Sequence, residues 1–278
     1  MNAFDRRLVP ARPDLAAEHL RGTVEAARFV PGVARRVIET AIALRREPDP
    51  TTSLDTEALF GEAVTIYDEA EGWAWGQLAR DGYVGWMPAN GLGAPAPPTH
   101  RVGAVRTFLY PTPSIRQPYL MALSLGSEVR VTGQDGLFLA LAGGGFVFAR
   151  HLQPLGSVEN DPVGVAEQFL GVPYLWGGKT SLGLDCSALV QTALHACGIA
   201  CPRDSDMQAQ GLGSPIALAE ARRGDLLAWK GHVALVRDGE TMIHANGHTM
   251  TVAIEGLAAG IDRIAASGDP LAAVKRLG

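Results

Sequence analysis

The stretch GLDCSALVQTAL, residues 183–194, sets one thiol at the seam between a glycine-rich loop and an apolar helical run. Upstream, VPYLWGGKTSLGL (172–184) reads as an irregular loop. Downstream the helix runs to Cys197 and ends on Gly198 as a left-handed cap. Cys186 therefore falls in the first turn of a helix, where unpaired N–H groups and the helix dipole favour a thiolate over a thiol. A small core residue is the plainer reading of such a cysteine, and its surroundings decide between the two.

Around that helix, DPVGVAEQFLG (161–171) predicts a short helix capped by Asp161 with Pro162 in its first position. After a polar loop come DLLAWK (225–230), HVALVRDG (232–239), TMIHANG (241–247) and TVAIEGL (251–257), four strand-like runs divided by turn residues. Helix first and antiparallel sheet second make an α+β unit over 157–278. Two histidines, His232 and His244, lie on adjacent strands, and a thiolate nucleophile needs such a base. A two-residue Asp-Gly turn would place them on opposite faces; a three-residue loop, Asp238 to Glu240, places them diagonally on one face. His195 lies within the cysteine's own helix and His248 in a turn, so both fit less well. His244 and His248 form an H-x-x-x-H pair, but the Asn-Gly between them opposes the helix that a zinc site of that spacing needs.

The N-terminal half has a different texture. Residues 14–46 carry apolar positions three and four apart and predict two short helices, or a helix and a loop, broken at Pro31-Gly32, with a linker over 47–53. From 51 to 156 short β-rich runs alternate with Gly, Pro and Asp, and two passages echo each other. Gly61 matches Gly126, Val64 matches Val129, Tyr83 matches Phe146, Val84 matches Val147 and Leu92 matches Leu155, with a two-residue deletion between the anchors. The repeat predicts two small β-barrels, 51–97 and 98–156, behind an N-terminal helical segment and linker, 1–50. Trp73, Trp75, Tyr83 and Trp86 read as packing residues, with a rim position for Tyr83, set by the turn ARDGY, as the competing reading.

Composition narrows the function classes. Of 278 residues, 47% are hydrophobic and 19% charged, enough to bury sizeable cores. A formal net charge of −5 supplies no broad basic field for nucleic acid or an acidic membrane. The N-terminus is charged and proline-bearing, unlike a signal peptide, and no uncharged run reaches the roughly 18 residues of a membrane helix. The expectation is a cytoplasmic protein with no membrane or nucleic-acid partner. Three cysteines in one short window, Cys186, Cys197 and Cys201, make a poor disulfide framework and lack a second ligand pair for zinc, so neither a metal nor another cofactor is expected.

PYLWGGKT (173–180), LDCSALVQ (184–191), CPRDSDMQ (201–208), GDLLAW (224–229), GHVALV (231–236) and MIHA (242–245) follow one another as in the NlpC-type peptidases, which this region resembles. These are papain-like cysteine enzymes that trim bacterial cell-wall peptides. Ala188 for the usual glycine and the inserted Leu175 are mild departures. The resemblance makes Cys186 the nucleophile, His232 the base, His244 the residue that orients it and Tyr174 a donor to the oxyanion. Gly-Glu-x-Val at 61–64 and DGYVGWM at 81–87 resemble the bacterial SH3-like domains that accompany such enzymes. The implied architecture is a papain-like NlpC-type domain behind two SH3-like barrels.

Family members of that layout cleave between γ-D-glutamate and a diamino acid in murein peptides with a free N-terminal L-alanine. The resemblance then implies substrate-binding roles for Asp185 and Glu62 as carboxylates for the ammonium and Tyr83 as a wall. Ser187, Arg203, Asp204 and Ser205 fall where the family contacts the D-glutamyl portion. Asp185 as helix N-cap and an Arg203–Asp204 pair in a solvated loop are the competing structural readings. Murein-derived peptides are the expected partners. An amidase or acyltransferase on the same scaffold, a wall-peptide-binding protein with an idle catalytic domain, and a secreted lysin are the alternatives.

Overall fold

The computed structural model describes residues 4–277. Between 14 and 46 it contains no α-helix; a single 3-10 turn, Glu18–Leu20, stands among strands. Val33–Val37 and Ala41–Arg45 are extended, and Val37, Ile42 and Leu44 are their buried positions. Val33–Val37 pairs with Ala63–Ala70, and Ala41–Arg45 pairs with the next strand, Leu54–Leu59, and through Arg45 with the distant Trp86. Tertiary pairing with period-two burial thus overrides a helical propensity that was only local.

The chain divides between Leu155 and Gly156 into two compact units. In the first, seven antiparallel strands run in the order Leu54–Leu59, Ala41–Arg45, Val84–Pro88, Trp73–Leu78, Ala63–Ala70, Val33–Val37 and Leu92–Gly93. The first repeat therefore starts near 33 rather than 51. The second copy repeats the scheme in reduced form, split into sheets of three, two and three strands. Among the described residues no pairing closes either copy, so both are open sheets and not the closed barrels that the alternation suggested.

Strand pairing also corrects the alignment of the repeats. Val37 pairs with Leu92 in the first copy, and Val102 pairs with Leu152 in the second. Each of those leucines follows a 3-10 turn, Ala89–Gly91 or Ala149–His151. Leu92 thus corresponds to Leu152, not Leu155, and the matches at Tyr83 and Val84 slip with it; Val147 takes the place of Met87, both fully buried. The Gly61–Gly126 anchor stands. Both have positive φ, +80° and +88°, and a Cβ on Gly61 would overlap the Glu128 carbonyl. That close approach lets the Glu128 N–H reach the Phe60 carbonyl at 2.8 Å, joining the two copies.

The second unit opens with helix α1 (Pro162–Glu167), where the Asp161 side chain accepts the Val163 N–H and Pro162 occupies the first turn. Helix α2 (Cys186–Ala196) ends at Gly198, φ +74°, and is buried at every position from Cys186 to Leu194. Helix α3 (Ser205–Gly211) follows. The sheet has strands β1 (Ser214–Pro215), β2 (Leu226–Trp229), β3 (His232–Val236), β4 (Thr241–Asn246), β5 (Thr251–Gly256) and β6 (Ala273–Arg276), in the order β1-β6-β2-β3-β4-β5. Helix α4 (Leu257–Ala266) leads from β5 toward β6. Between β3 and β4, Leu235 pairs with Ile243 and Val236 with Met242, and Arg237 N–H donates to the Thr241 carbonyl. The loop is therefore Asp238–Glu240, three residues, with the Asp238 carboxylate accepting the Glu240 and Thr241 N–H groups and the Thr241 hydroxyl. This register puts His232 and His244 on one face.

Replacing Gly61 by alanine forces an L-residue into the left-handed region and against a carbonyl. The expected cost is about 1–3 kcal/mol, read as a lower midpoint in urea unfolding. A Gly72→Ala control also has positive φ but open space around it, and it should cost less.

Candidate active site

Cys186 begins α2 because Asp185 caps it. The Asp185 carboxylate accepts the Ala188 N–H at 2.8 Å, the Ser187 hydroxyl at 3.1 Å and the Gly177 N–H at 2.9 Å. Arg203 adds a two-pronged contact, Nη1 to Oδ1 at 3.0 Å and Nη2 to Oδ2 at 2.9 Å. The same guanidinium donates to Ser187 Oγ and to the Gly178 carbonyl. Gln208 completes the cluster by donating to the carbonyls of Ser187 and Pro202.

This arrangement corrects two sequence expectations. Arg203 does not lie in a solvated loop; its side chain is fully buried and pairs with Asp185. Asp185, offered by the sequence as a carboxylate for a substrate ammonium, has its oxygens occupied as N-cap and as counter-ion to Arg203. Ser187 and Arg203 are likewise spent inside the cluster, where they hold the cysteine-bearing turn. Asp204 and Ser205 lie half-buried at the start of α3, and Asp204 makes no side-chain cap bond there.

The diagonal placement of the histidines becomes a direct contact, His232 Nε2 to His244 Nδ1 at 2.9 Å. Nε2 of His232 is thereby engaged, and Nδ1 is the ring nitrogen left for a thiol. Cys186 is adjacent, since the backbone N–H of Val233 hydrogen-bonds to its sulfur. Trp229, the cross-strand partner of His232, covers the imidazole with ring centroids 5.4 Å apart. His244 is 1% exposed, and its Nε2 lies 3.2 Å from Glu255 Oε2, close but imperfectly aligned for a hydrogen bond.

Tyr174 sits on the loop ahead of α2. Its N–H donates to the Met250 carbonyl at 2.8 Å, and the Leu184 N–H on its other side donates to Pro173. Its phenol is pushed well above the usual range, first by burial and then by the Cys186 charge, which places the hydroxyl in the cysteine's field. The structure thus gathers Cys186, His232, His244, Tyr174, Asp185, Ser187 and Arg203. Glu62 and Tyr83 belong to the first unit. There Glu62 is buried, accepts the Leu59 N–H and lies 3.5 Å from Arg80. Tyr83 packs into the sheet's apolar core with Leu44 and Met87 instead of standing at a rim.

Burial sets the charge state. It pushes the Cys186 thiol up to about 12, with the Asp185 charge adding to it and the Val233 and Ser187 N–H groups and Arg203 opposing. The thiolate expected from the helix terminus is therefore not the resting form. A helix end is worth about 0.3–1 kcal/mol, whereas burying an anion costs several. Burial also pushes His232 down to about 3, with the charges of His244 and Arg263 in support. His244 is held at about 4 by burial, partly offset by Glu255. A neutral thiol beside a neutral imidazole is the resting pair, so proton transfer accompanies attack on a carbonyl.

Glu255 and its partner Arg263 escape a reading of the sequence. The one signal is a carboxylate in the otherwise apolar run TVAIEGL, two residues beyond Ala253, which faces His244 across the sheet.

Residues 44–92 match a bacterial dipeptidyl-peptidase SH3 domain, and residues 171–261 match the NlpC/P60 family. A gamma-D-glutamyl-L-lysine dipeptidyl-peptidase of Bacillus subtilis is 31% identical over 221 residues, covering 69% of this chain and 72% of that protein. The chain belongs to the NlpC/P60 family. A second gamma-D-glutamyl-L-lysine dipeptidyl-peptidase, from Bacillus cereus, is 28% identical over 69% of this chain and 67% of its own length. The crystal structure of an NlpC/P60 family protein from Bacillus cereus shares the fold, with a TM-score of 0.74, 22% identity and coverage of 88% of this chain and 99% of that one. The chain thus has an NlpC/P60 fold with an SH3-like N-terminal domain.

Two measurements check this site. Arg203→Leu leaves Asp185 as an uncompensated buried charge, and the loss in urea denaturation should be about 3–5 kcal/mol. The histidine pair gives a pH dependence of definite sign. As pH falls below about 6.5, unfolded chains take up protons that the half-buried His232 and the buried His244 refuse until about 3 and 4. Stability is therefore lost on acidification from about 6.5 downward, approaching about 1.4 kcal/mol per pH unit for each histidine. A denaturation midpoint flat between pH 6.5 and 5 contradicts neutral burial.

Proposed function

We propose that this chain is a cysteine peptidase that hydrolyses the bond between γ-D-glutamate and a diamino acid in murein peptides bearing a free N-terminal L-alanine. In this reading it acts in the cytoplasm on small wall-derived fragments, as a recycling enzyme. The observation that carries it is the thiol at the start of α2 beside the His232–His244 pair joined at 2.9 Å. The names of the two Bacillus relatives support the substrate class and the release of a dipeptide.

Attack begins when Cys186 Sγ approaches the γ-glutamyl carbonyl and its proton passes to Nδ1 of His232. His244 accepts the His232 Nε2 proton in a hydrogen bond and so stabilises the imidazolium. The oxyanion is held by the Cys186 backbone N–H, which has no intrahelical acceptor in the first turn, and by the Tyr174 hydroxyl. His232 then returns its proton to the amine of the departing diamino acid as the C–N bond breaks, leaving a thioester. Water, deprotonated by His232, attacks the thioester, and the thiol is regenerated as the dipeptide leaves.

The test is mass spectrometry of L-Ala-γ-D-Glu-diaminopimelate and its lysine counterpart after incubation, beside their N-acetylated forms and a Cys186→Ala control. Release of L-Ala-γ-D-Glu from free peptides only, and its disappearance in Cys186→Ala, is the expected result. Equal cutting of the acetylated forms makes the enzyme an endopeptidase without terminal selection. No cutting at all overturns the peptidase reading. His244→Ala should lower kcat about 10²–10⁴-fold, the range of general acid–base assistance.

A further inference from the structure

We infer that Glu255 is a positioning residue that sets the tautomer of His244, and through it the basicity of His232, with Arg263 opposing it as a charge on the same relay. The inference deepens the peptidase reading and rests on it for the role of His232 as base.

The geometry forms a continuous chain. His232 Nε2 lies 2.9 Å from His244 Nδ1, and His244 Nε2 lies 3.2 Å from Glu255 Oε2. Glu255 in turn receives Arg263 through two bonds of 2.7 Å, Nε to Oε1 and Nη2 to Oε2. Strand register explains the alignment. His244 pairs with Ala253 on β5, so Glu255, two residues on, shares its face. Helix α4 packs closely against the carboxylate, since a Cβ on Gly260 would overlap Met242 and crowd the Glu255 carboxyl.

Proton bookkeeping gives this chain a function. A base at His232 Nδ1 requires the proton of that ring to sit on Nε2, and Nε2–H must then donate to an unprotonated Nδ1 of His244. His244 is consequently the Nε2–H tautomer, with its proton facing Glu255. A carboxylate can only accept at that position, so it selects this tautomer and no other. Reversing His244 would place a proton on its Nδ1, turn His232 Nε2 into an acceptor and protonate the nitrogen that the thiol needs. The His244–Glu255 contact is short of full alignment, and positive charge on His232 would strengthen it.

The charges acting on the pair are few. Those facing His244 are Glu255 from β5, Arg263 from α4 and His248 from the β4–β5 turn; those facing His232 are His244, Arg263 and Glu255. Glu255 favours an imidazolium at both positions, and Arg263 disfavours it at both. The two members of one salt bridge therefore act on the base with opposite signs. A bridge that merely pins α4 to the sheet has no such asymmetry, because losing either partner breaks it equally.

The experiment uses iodoacetamide alkylation of the full chain from pH 5 to 9, with tandem mass spectrometry locating the adduct on Cys186 within the tryptic peptide 180–203, which also carries Cys197 and Cys201. Wild type, Glu255→Gln, Arg263→Gln and the double variant are compared, with circular dichroism as a check on folding. Glu255→Gln removes the anion and its amide can donate to His244, so alkylation at pH 7 should slow about tenfold, the effect of one pK unit. Arg263→Gln should leave alkylation as fast as in wild type or faster, and the double variant should lie between the singles. Equal slowing in both single variants, or no change in Glu255→Gln, overturns the inference. Alkylation requires no murein peptide. A wild type that alkylates as expected but cuts no peptide therefore sinks the peptidase reading and leaves the relay intact.

Discussion

The buried contact between Asp185 and Arg203 is the constraint on which the catalytic unit depends. It ties together three segments distant in sequence: the loop at Gly177–Gly178, the start of α2 and the turn that leads into α3. Each is irregular backbone whose polar groups need partners once buried. One carboxylate and one guanidinium supply most of them, and the turn bearing Cys186 is held as a consequence. Pairs of this kind add little net stability over an apolar substitute, but losing one partner strands the other. The pair fixes geometry more than it adds stability.

A second constraint is the length of the β3–β4 loop. Three residues, clamped by the Asp238 carboxylate, put His232 and His244 on the same side of the sheet, and two would have separated them. The loop lies at the opposite end of β3 from His232, yet it decides whether the imidazoles meet. Trp229 and the sheet interior then shield the pair, His244 fully and His232 in part, so that both rings rest neutral. A nucleophile and base kept uncharged until a carbonyl arrives avoid an isolated buried charge, which the surroundings disfavour.

In the β-rich unit the repeat resides in pairing more than in residue identity. The two copies share a positive-φ glycine, a buried valine after it, a 3-10 turn and a closing leucine that pairs back onto the first strand. The second copy keeps those features while its sheet breaks into smaller pieces. Residue identity alone matched Leu92 to Leu155 because apolar residues recur every few positions; only hydrogen-bond register distinguishes Leu152.

Local chemistry was legible in the sequence wherever it was self-contained. The cap at Asp161, the helix from Cys186 to a Gly198 stop, the four strands after 225 and the Gly61–Gly126 anchor all follow from side-chain and backbone preferences within a few residues. The placement of Cys186 at a helix start and of His232 and His244 on neighbouring strands was readable too. Partner choice was not. Strands at 33–45 in place of helices, Arg203 buried against Asp185, a buried Tyr83 and the Glu255–Arg263 pair behind His244 all depend on segments brought together only by folding. Burial likewise reversed the charge state that a helix N-terminus by itself would have favoured at Cys186, because desolvation depends on everything packed around the sulfur and the helix dipole only on the helix.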